Sequence, residues 1–269
     1  MKVLVYVNKE KDNKINWLER ATGYLKEKEI DYSVIDDEDL KSDVSGDAVL
    51  VLGGDGTILS LVAFCLKNSV PIIGINAGKM GFLTEFEQSE TELAIDLLIN
   101  GELKCDKRST LKVVFKDDVY FGLNDLVVER YSKEGEDANV VKLKVAVENE
   151  IVDTIRGNGV IIATPTGSTA YSLSSGGSIL APRINAFSIT PITAHSLTHR
   201  PFIYSSDSAS VITMTGGKKA GVFIDGKWIG GIEKGENVLV YKASKNLVFL
   251  RKSDFNFYKR VADKFQTEV

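Results

Sequence analysis

Gly53-Gly54-Asp55-Gly56-Thr57 is the stretch whose residue types and spacing promise chemistry. Glycines leave no Cβ to block a bulky phosphate, and they let the backbone turn tightly enough to aim several N–H groups at one anion. An apolar run from Ala48 to Leu52 leads into the stretch, and Ile58, Leu61, Val62, Cys65 and Leu66 follow at helical spacing. The reading is strand, glycine turn, helix, with the positive end of the helix added to the site. Asp55 stands among these donors. A carboxylate in a phosphate cradle repels the ligand unless a cation or a proton-carrying nucleophile comes between them, which points to phosphoryl transfer with a divalent metal. A glycine turn capped by an aspartate is the alternative, because short glycine motifs recur widely.

The elements that must position this stretch fall into two textures. Lys2 to Val7 reads as a strand, Trp17 to Leu25 as a helix, Tyr32 to Ile35 as a strand, and Val70 to Asn76 as a buried strand leading into Ala77 to Thr84. Strands alternating with helices predict a Rossmann-like parallel sheet, whose ligands gather beyond the carboxyl ends of the strands, so Asp55 and Phe82 share one rim. Asp36-Asp37-Glu38-Asp39 reads as a solvated linker rather than a metal site. Ser89 as N-cap, Glu92 three residues on and Gly101 past the end predict a helix over 89–100.

From about Leu103 the pattern becomes strand after strand: Leu111 to Phe115, Tyr120 to Val128, Val140 to Val147, Ile151 to Ile155, Val160 to Ala163, and four more between Ala209 and Leu250. Such spacing predicts a second, β-rich, sandwich-like domain. Asp225-Gly226 is a hairpin signal. The polar segment Thr164 to Gly177 is too well bracketed by strands to be a linker. Phe257, Tyr258, Val261 and Phe265 recur at helical spacing and predict a tail that packs on something. The texture therefore changes at about residue 101, and the β-rich part runs to about residue 251.

Composition bounds the partners. The chain has 269 residues, 43% of them hydrophobic, with a net charge of -4 and an isoelectric point near 5.4. No basic stripe interleaves with aromatics, so nucleic acid is not an expected partner. Cys65 and Cys105, the only cysteines, lack metal or disulfide spacing and read as buried thiols. No apolar run of about 18 residues occurs and the N-terminus lacks a cleavable signal, so the expectation is a cytoplasmic protein without a membrane partner.

Gly53 to Thr57, followed about 110 residues later by Thr164-Pro165-Thr166-Gly167-Ser168-Thr169-Ala170-Tyr171, resembles the bacterial NAD kinase family. The resemblance runs over nearly the whole chain. It includes Gly74-Ile75-Asn76, Gly81-Phe82-Leu83-Thr84, Leu123-Asn124-Asp125, Ser174-Ser175-Gly176-Gly177, Ile189-Thr190-Pro191 with His195-Ser196-Leu197, and the aromatic, basic tail. It implies an N-terminal α/β domain, 1–101, joined by a returning C-terminal segment, 252–269, a C-terminal β domain, 102–251, that binds NAD, and an active site in the crevice between the two. The implied reaction moves the γ-phosphoryl group of ATP, or of polyphosphate, to the 2′-hydroxyl of the adenosine ribose of NAD, giving NADP. Mg²⁺ would rest mainly on ATP phosphates and carboxylates, with no dedicated metal ligands. A homodimer or homotetramer assembled through the β domain is implied too.

By this resemblance Asp55 is the catalytic aspartate, orienting and deprotonating the hydroxyl, while Gly54, Gly56 and Thr57 hold phosphate oxygens. Phe82 lines an adenine pocket. Asn124, Thr166, Thr169, Ala170, Tyr171 and Ser174 contact NAD, Asp225 lies near the bound nucleotide, and Arg156 serves phosphate or pairs with an acid. Two positions depart from the family pattern. Asp125 stands where Glu is common, and Asn158 stands where Asp contacts the nicotinamide ribose end, so its charge is lost while a carbonyl acceptor remains. His195 carries no assigned chemistry. Lipid kinases share the GGDGT loop but do not account for Thr164 to Tyr171. A non-catalytic NAD(P)-binding regulator is a further reading, against which Asp55 weighs. A dehydrogenase is disfavoured, because Leu59 stands where the third glycine of GxGxxG belongs.

Overall fold

Ala48–Leu52 is buried at every position and carries no polar side chain, as a strand covered on both faces requires. In the computed structural model, which describes residues 1–7, 16–76, 78, 80–131, 140–193 and 199–266, it lies between Lys2–Val7 and Ile72–Asn76, parallel to both. Asp31–Val34 extends the sheet beyond Lys2–Val7. Trp17, Ala21 and Leu25 of the helix Trp17–Glu27, with Ala94 and Ile95 of Thr91–Ile99, pack into one core with Val3, Leu50, Ile73 and Ile75. Among the described residues this sheet has seven strands. Two of them, Lys104–Arg108 and Leu247–Arg251, come from the stretch that the sequence assigns to the second domain. The chain divides into two compact units, Met1–Lys107 with Leu247–Val269, and Arg108–Asn246.

Several local expectations change in this unit. The helix after the glycines is two helices, Asp55–Ser60 and Val62–Asn68, broken at Leu61. The capping box is made by Glu87 with Glu90, ahead of a helix that starts at Thr91, and not by Ser89 with Glu92. Glu92 instead grips the Arg20 guanidinium at 2.5 Å. Gly101 ends the helix with φ 70, a left-handed conformation that glycine adopts without strain. Cys65 is buried but Cys105 is exposed, because it lies on the polar strand Lys104–Arg108. The tail forms the helix Phe257–Gln266, yet Tyr258 is 71% and Phe265 42% exposed, so its aromatic spacing does not mark the buried face.

The second unit holds two antiparallel sheets, each six-stranded among the described residues. Leu111–Phe115 alternates buried and half-buried positions, the pattern of a strand with one face in a sandwich core. Leu111, Val145, Ile212 and Val240 of one sheet meet Val128, Ile162, Phe187 and Val222 of the other in a single core. The expected strand over 120–128 is broken at Leu123 and Asn124 into Asp118–Gly122 and Asp125–Arg130, which belong to different sheets. Two strands outside the sequence reading, Ala186–Ile192 and Phe202–Ser205, complete an edge. No helix among the described residues is long and apolar enough to cross a membrane.

Candidate functional site

The candidate residues form one group on each unit. In the first unit the helix Asp55–Ser60 begins directly at Asp55, so the N–H groups of Asp55 and Gly56 belong to the first turn and have no intrahelical acceptor. Gly54 is extended, with φ −94 and ψ −172, and the turn needs no left-handed glycine there. Gly53 is required for a different reason: a Cβ on it would meet the Thr57 side chain at 2.3 Å. Thr57 closes the turn by donating its N–H to the Gly54 carbonyl at 2.9 Å. The half-buried Asp55 carboxylate accepts three backbone N–H groups, from Phe82 at 2.8 Å, Leu83 at 3.1 Å and Thr84 at 3.3 Å. Gly81 lies so close that a Cβ there would fall 1.9 Å from Oδ1. Phe82 is half-buried, with the Lys264 ammonium 5.6 Å from its ring centroid, and is not a core residue.

In the second unit a second aspartate does the same to another loop. Asp225 and Gly226 form a two-residue hairpin turn with φ 48 and 77, the double left-handed geometry that Asp-Gly favours. The Asp225 carboxylate accepts N–H groups from Leu123 at 2.8 Å, Asn124 at 2.7 Å and Asp125 at 3.1 Å. This drawing-out of the backbone breaks the expected strand. A cavity of about 330 Å³ opens here, lined by Asn124, Asp125, Ala170, Tyr171 and Asp225 among the expected residues. Val127, Glu129, Phe223 and Gly226 also line it, and sequence reasoning missed them. The Tyr171 hydroxyl reaches Glu129 at 3.2 Å. Strand alternation in Asp125–Arg130 could have found Val127 and Glu129, since 125, 127 and 129 share one face. Burial, and then the neighbouring Asp225 charge, push the Asp125 carboxyl up to about 7. Burial also raises Asp225, but its three N–H bonds favour its charged form, so the shared proton belongs on Asp125.

The polar octapeptide is folded by its own hydroxyls. Thr164 donates its hydroxyl to the Leu123 carbonyl at 2.5 Å and accepts the Gly167 N–H at 3.1 Å. Gly167 presses on Asn124, whose carbonyl would sit 2.0 Å from an added Cβ. Thr166 is buried and accepts a bond from Arg108 at 3.3 Å, while Thr169 bonds back to the Thr166 carbonyl at 3.1 Å. Ser174 is exposed at the end of the short helix Tyr171–Ser174. Thr166, Thr169 and Ser174 thus flank the cavity segment without lining the cavity. Arg156 and Asn158 do not line it either. Arg156 is exposed on the strand Glu150–Gly157 opposite Lys142, and Asn158 is fixed by its backbone, to Arg130 at 2.7 Å and Ile192 at 3.0 Å. His195 lies outside the described residues.

Comparison with known proteins follows the same two units. Residues 5–103 match the ATP-NAD kinase N-terminal domain and residues 124–252 the ATP-NAD kinase C-terminal domain. The NAD kinase of Caldicellulosiruptor saccharolyticus is 32% identical over 266 residues, 99% of this chain and 100% of that one. The NAD kinase of Methanothermobacter thermautotrophicus is 37% identical over 228 residues, 84% of this chain and 78% of that protein. Among solved structures, yeast NADH kinase complexed with NADH superposes with a TM-score of 0.86 at 25% identity, covering 99% of this chain and 87% of the yeast chain. An NAD kinase from Archaeoglobus fulgidus in complex with ATP shares the fold, with a TM-score of 0.82 at 24% identity and 99% of each chain covered. With both domains matched in order and a relative aligned from end to end, the chain belongs to the NAD kinase family.

Proposed function

We propose that Asp55 is the proton acceptor in the reaction this chain carries out, the phosphorylation of NAD to NADP with ATP as donor. The 2′-hydroxyl oxygen of the adenosine ribose attacks the γ-phosphorus, its proton passes to the Asp55 carboxylate, and the bond to the leaving ADP breaks. The observation that carries this reading is the fixed Asp55 carboxylate. An ionised carboxylate has about four acceptor positions. Three are spent on backbone N–H groups, and Oδ2, with only one of them, keeps capacity for a hydroxyl. A positioned base of this kind contributes roughly 10² to 10⁴-fold. The Gly56 N–H and the Thr57 hydroxyl would hold phosphate oxygens at the helix start.

NAD is assigned to the cavity of the second unit, where Tyr171 offers a ring and Asn124 an amide. A divalent cation would rest mainly on the ATP phosphates and on carboxylates. There it would offset the negative charge of the transferred group.

The test is NADP formation from NAD with ATP or polyphosphate, by wild type and by Asp55→Asn, which keeps the shape and loses the base. Asp55→Asn is expected to bind NAD normally and lose most of its turnover. Turnover within a few-fold of wild type would remove Asp55 from the role. A homo-oligomer built through the second unit is also proposed, as the family resemblance implies. A monomer mass by light scattering would overturn it.

A further inference from the structure

Arg251 and Arg260 come from the C-terminal segment, and neither was singled out by the sequence. Arg251 has only 1% of its side chain exposed and Arg260 16%. Burying two guanidinium groups is costly unless their donors are filled. They are filled by one loop. Arg260 Nη1 donates to the carbonyls of Gly81 and Thr84, both at 2.9 Å. Arg251 donates to the carbonyl of Leu83 at 3.2 Å and to that of Phe82 at 3.4 Å. Glu85 lies between the two arginines at 3.2 Å from each, and Asp106 accepts from Arg251 Nε at 2.9 Å.

The same loop gives its N–H groups to Asp55. Three consecutive peptide groups therefore carry a guanidinium at the oxygen end and the Asp55 carboxylate at the nitrogen end. Gly81–Phe82 joins Arg260 to Oδ2, while Phe82–Leu83 and Leu83–Thr84 join Arg251 to Oδ1. Charge-assisted bonds at both ends polarise each peptide in one sense, which strengthens both ends together. From this geometry we infer that Arg251 and Arg260 are positioning residues: through the peptide groups of residues 81–84 they hold the carboxylate of Asp55 in place for proton transfer. The inference rests on the assignment of Asp55 as the base. It deepens that assignment by naming what fixes the base and by giving the C-terminal segment a part in turnover.

Arg260→Ala is the variant to make, because Arg260 is less enclosed than Arg251 and the Arg251–Glu85 pair survives its removal. Lys252→Ala is the control. Lys252 lies in the same segment and pairs with Glu90 at 2.6 Å. For Arg260→Ala, kcat is expected to fall roughly 10- to 100-fold, the scale of a displaced catalytic group, with KM for NAD and ATP within about twofold of wild type. Amide hydrogen exchange at Phe82, Leu83 and Thr84 should quicken as well. Lys252→Ala should keep both kcat and the protection of these amides. The inference is overturned if Arg260→Ala keeps kcat within about twofold, if Lys252→Ala loses as much, or if KM rises in step with the loss of kcat. Asp55→Asn assayed alongside separates the two claims. An inactive Asp55→Asn beside an active Arg260→Ala sinks the positioning role alone. An active Asp55→Asn sinks the base assignment, and faster exchange at residues 82–84 would still report that the arginines hold the loop.

Discussion

At the scale of single residues, Asp125 is the position where the sequence and the structure together say most. The structure buries its side chain to 4% exposure beside the Asp225 carboxylate. Two neighbouring carboxylates cannot both ionise cheaply, and the one without N–H donors keeps the proton. In the unfolded chain Asp125 titrates near the usual value of about 3.9, whereas burial and Asp225 push it up to about 7 in the fold. The folded state then binds more protons than the unfolded state between those two values. Stability from this group is present below about pH 4 and is lost as pH rises to about 7. Asp125→Asn, which is neutral at every pH, is expected to melt at a nearly constant temperature across that window, where wild type melts lower as pH rises. Thermal melts from pH 5 to 8 check this; parallel curves for the two proteins would mean that Asp125 is not the group holding the proton.

At the scale of elements, much of the fold was legible because it is encoded locally. The uniformly apolar Ala48–Leu52, the helix ending at Gly101 and the Asp225-Gly226 hairpin each follow from residues next to one another. What was not legible is set by partners far along the chain. Within Tyr120 to Val128, Gly122 and Asn124-Asp125 interrupt the apolar content, but the carboxylate that holds the break open comes about a hundred residues later. Loop 82–84 likewise takes its shape from Asp55, nearly thirty residues earlier. The two aspartates work alike, each gathering three consecutive N–H groups where a strand would otherwise continue or begin, and side-chain periodicity carries no trace of such a device. The site shows the same division. Motif matching placed Asn124, Asp125, Ala170, Tyr171 and Asp225 on one cavity, but Arg156 and Asn158 lie elsewhere on the unit and Thr166 faces Arg108. The tail was read by its aromatic spacing, while its arginines make the buried contacts, an outcome that only a three-dimensional list of carbonyl acceptors reveals.

At the scale of the whole molecule, the chain leaves the first unit after Lys107 and re-enters it at Leu247, so the second unit is one continuous insert and the first is assembled from both ends of the sequence. That difference decides what each can do alone. Every strand of the two antiparallel sheets falls inside Arg108–Asn246, as do the shared core and the whole cavity lining. Met1–Lys107, in contrast, lacks Leu247–Arg251, a strand from the interior of its sheet, together with Arg251 and Arg260. Removing one partner of a buried ion pair leaves the other charge unpaired, at a cost of about 3–5 kcal/mol, a large fraction of a domain's total stability. Expressed separately, Arg108–Asn246 is therefore expected to fold, to melt in a single cooperative transition, and to bind NAD without forming NADP, since Asp55 is not in it. Met1–Lys107 is expected not to fold. Circular dichroism melts and NAD titration by calorimetry read these outcomes directly. A second-unit fragment that melts without cooperativity would mean that its sandwich depends on the first unit. A folded fragment that binds no NAD would move the dinucleotide away from the cavity around Tyr171 and Asp225.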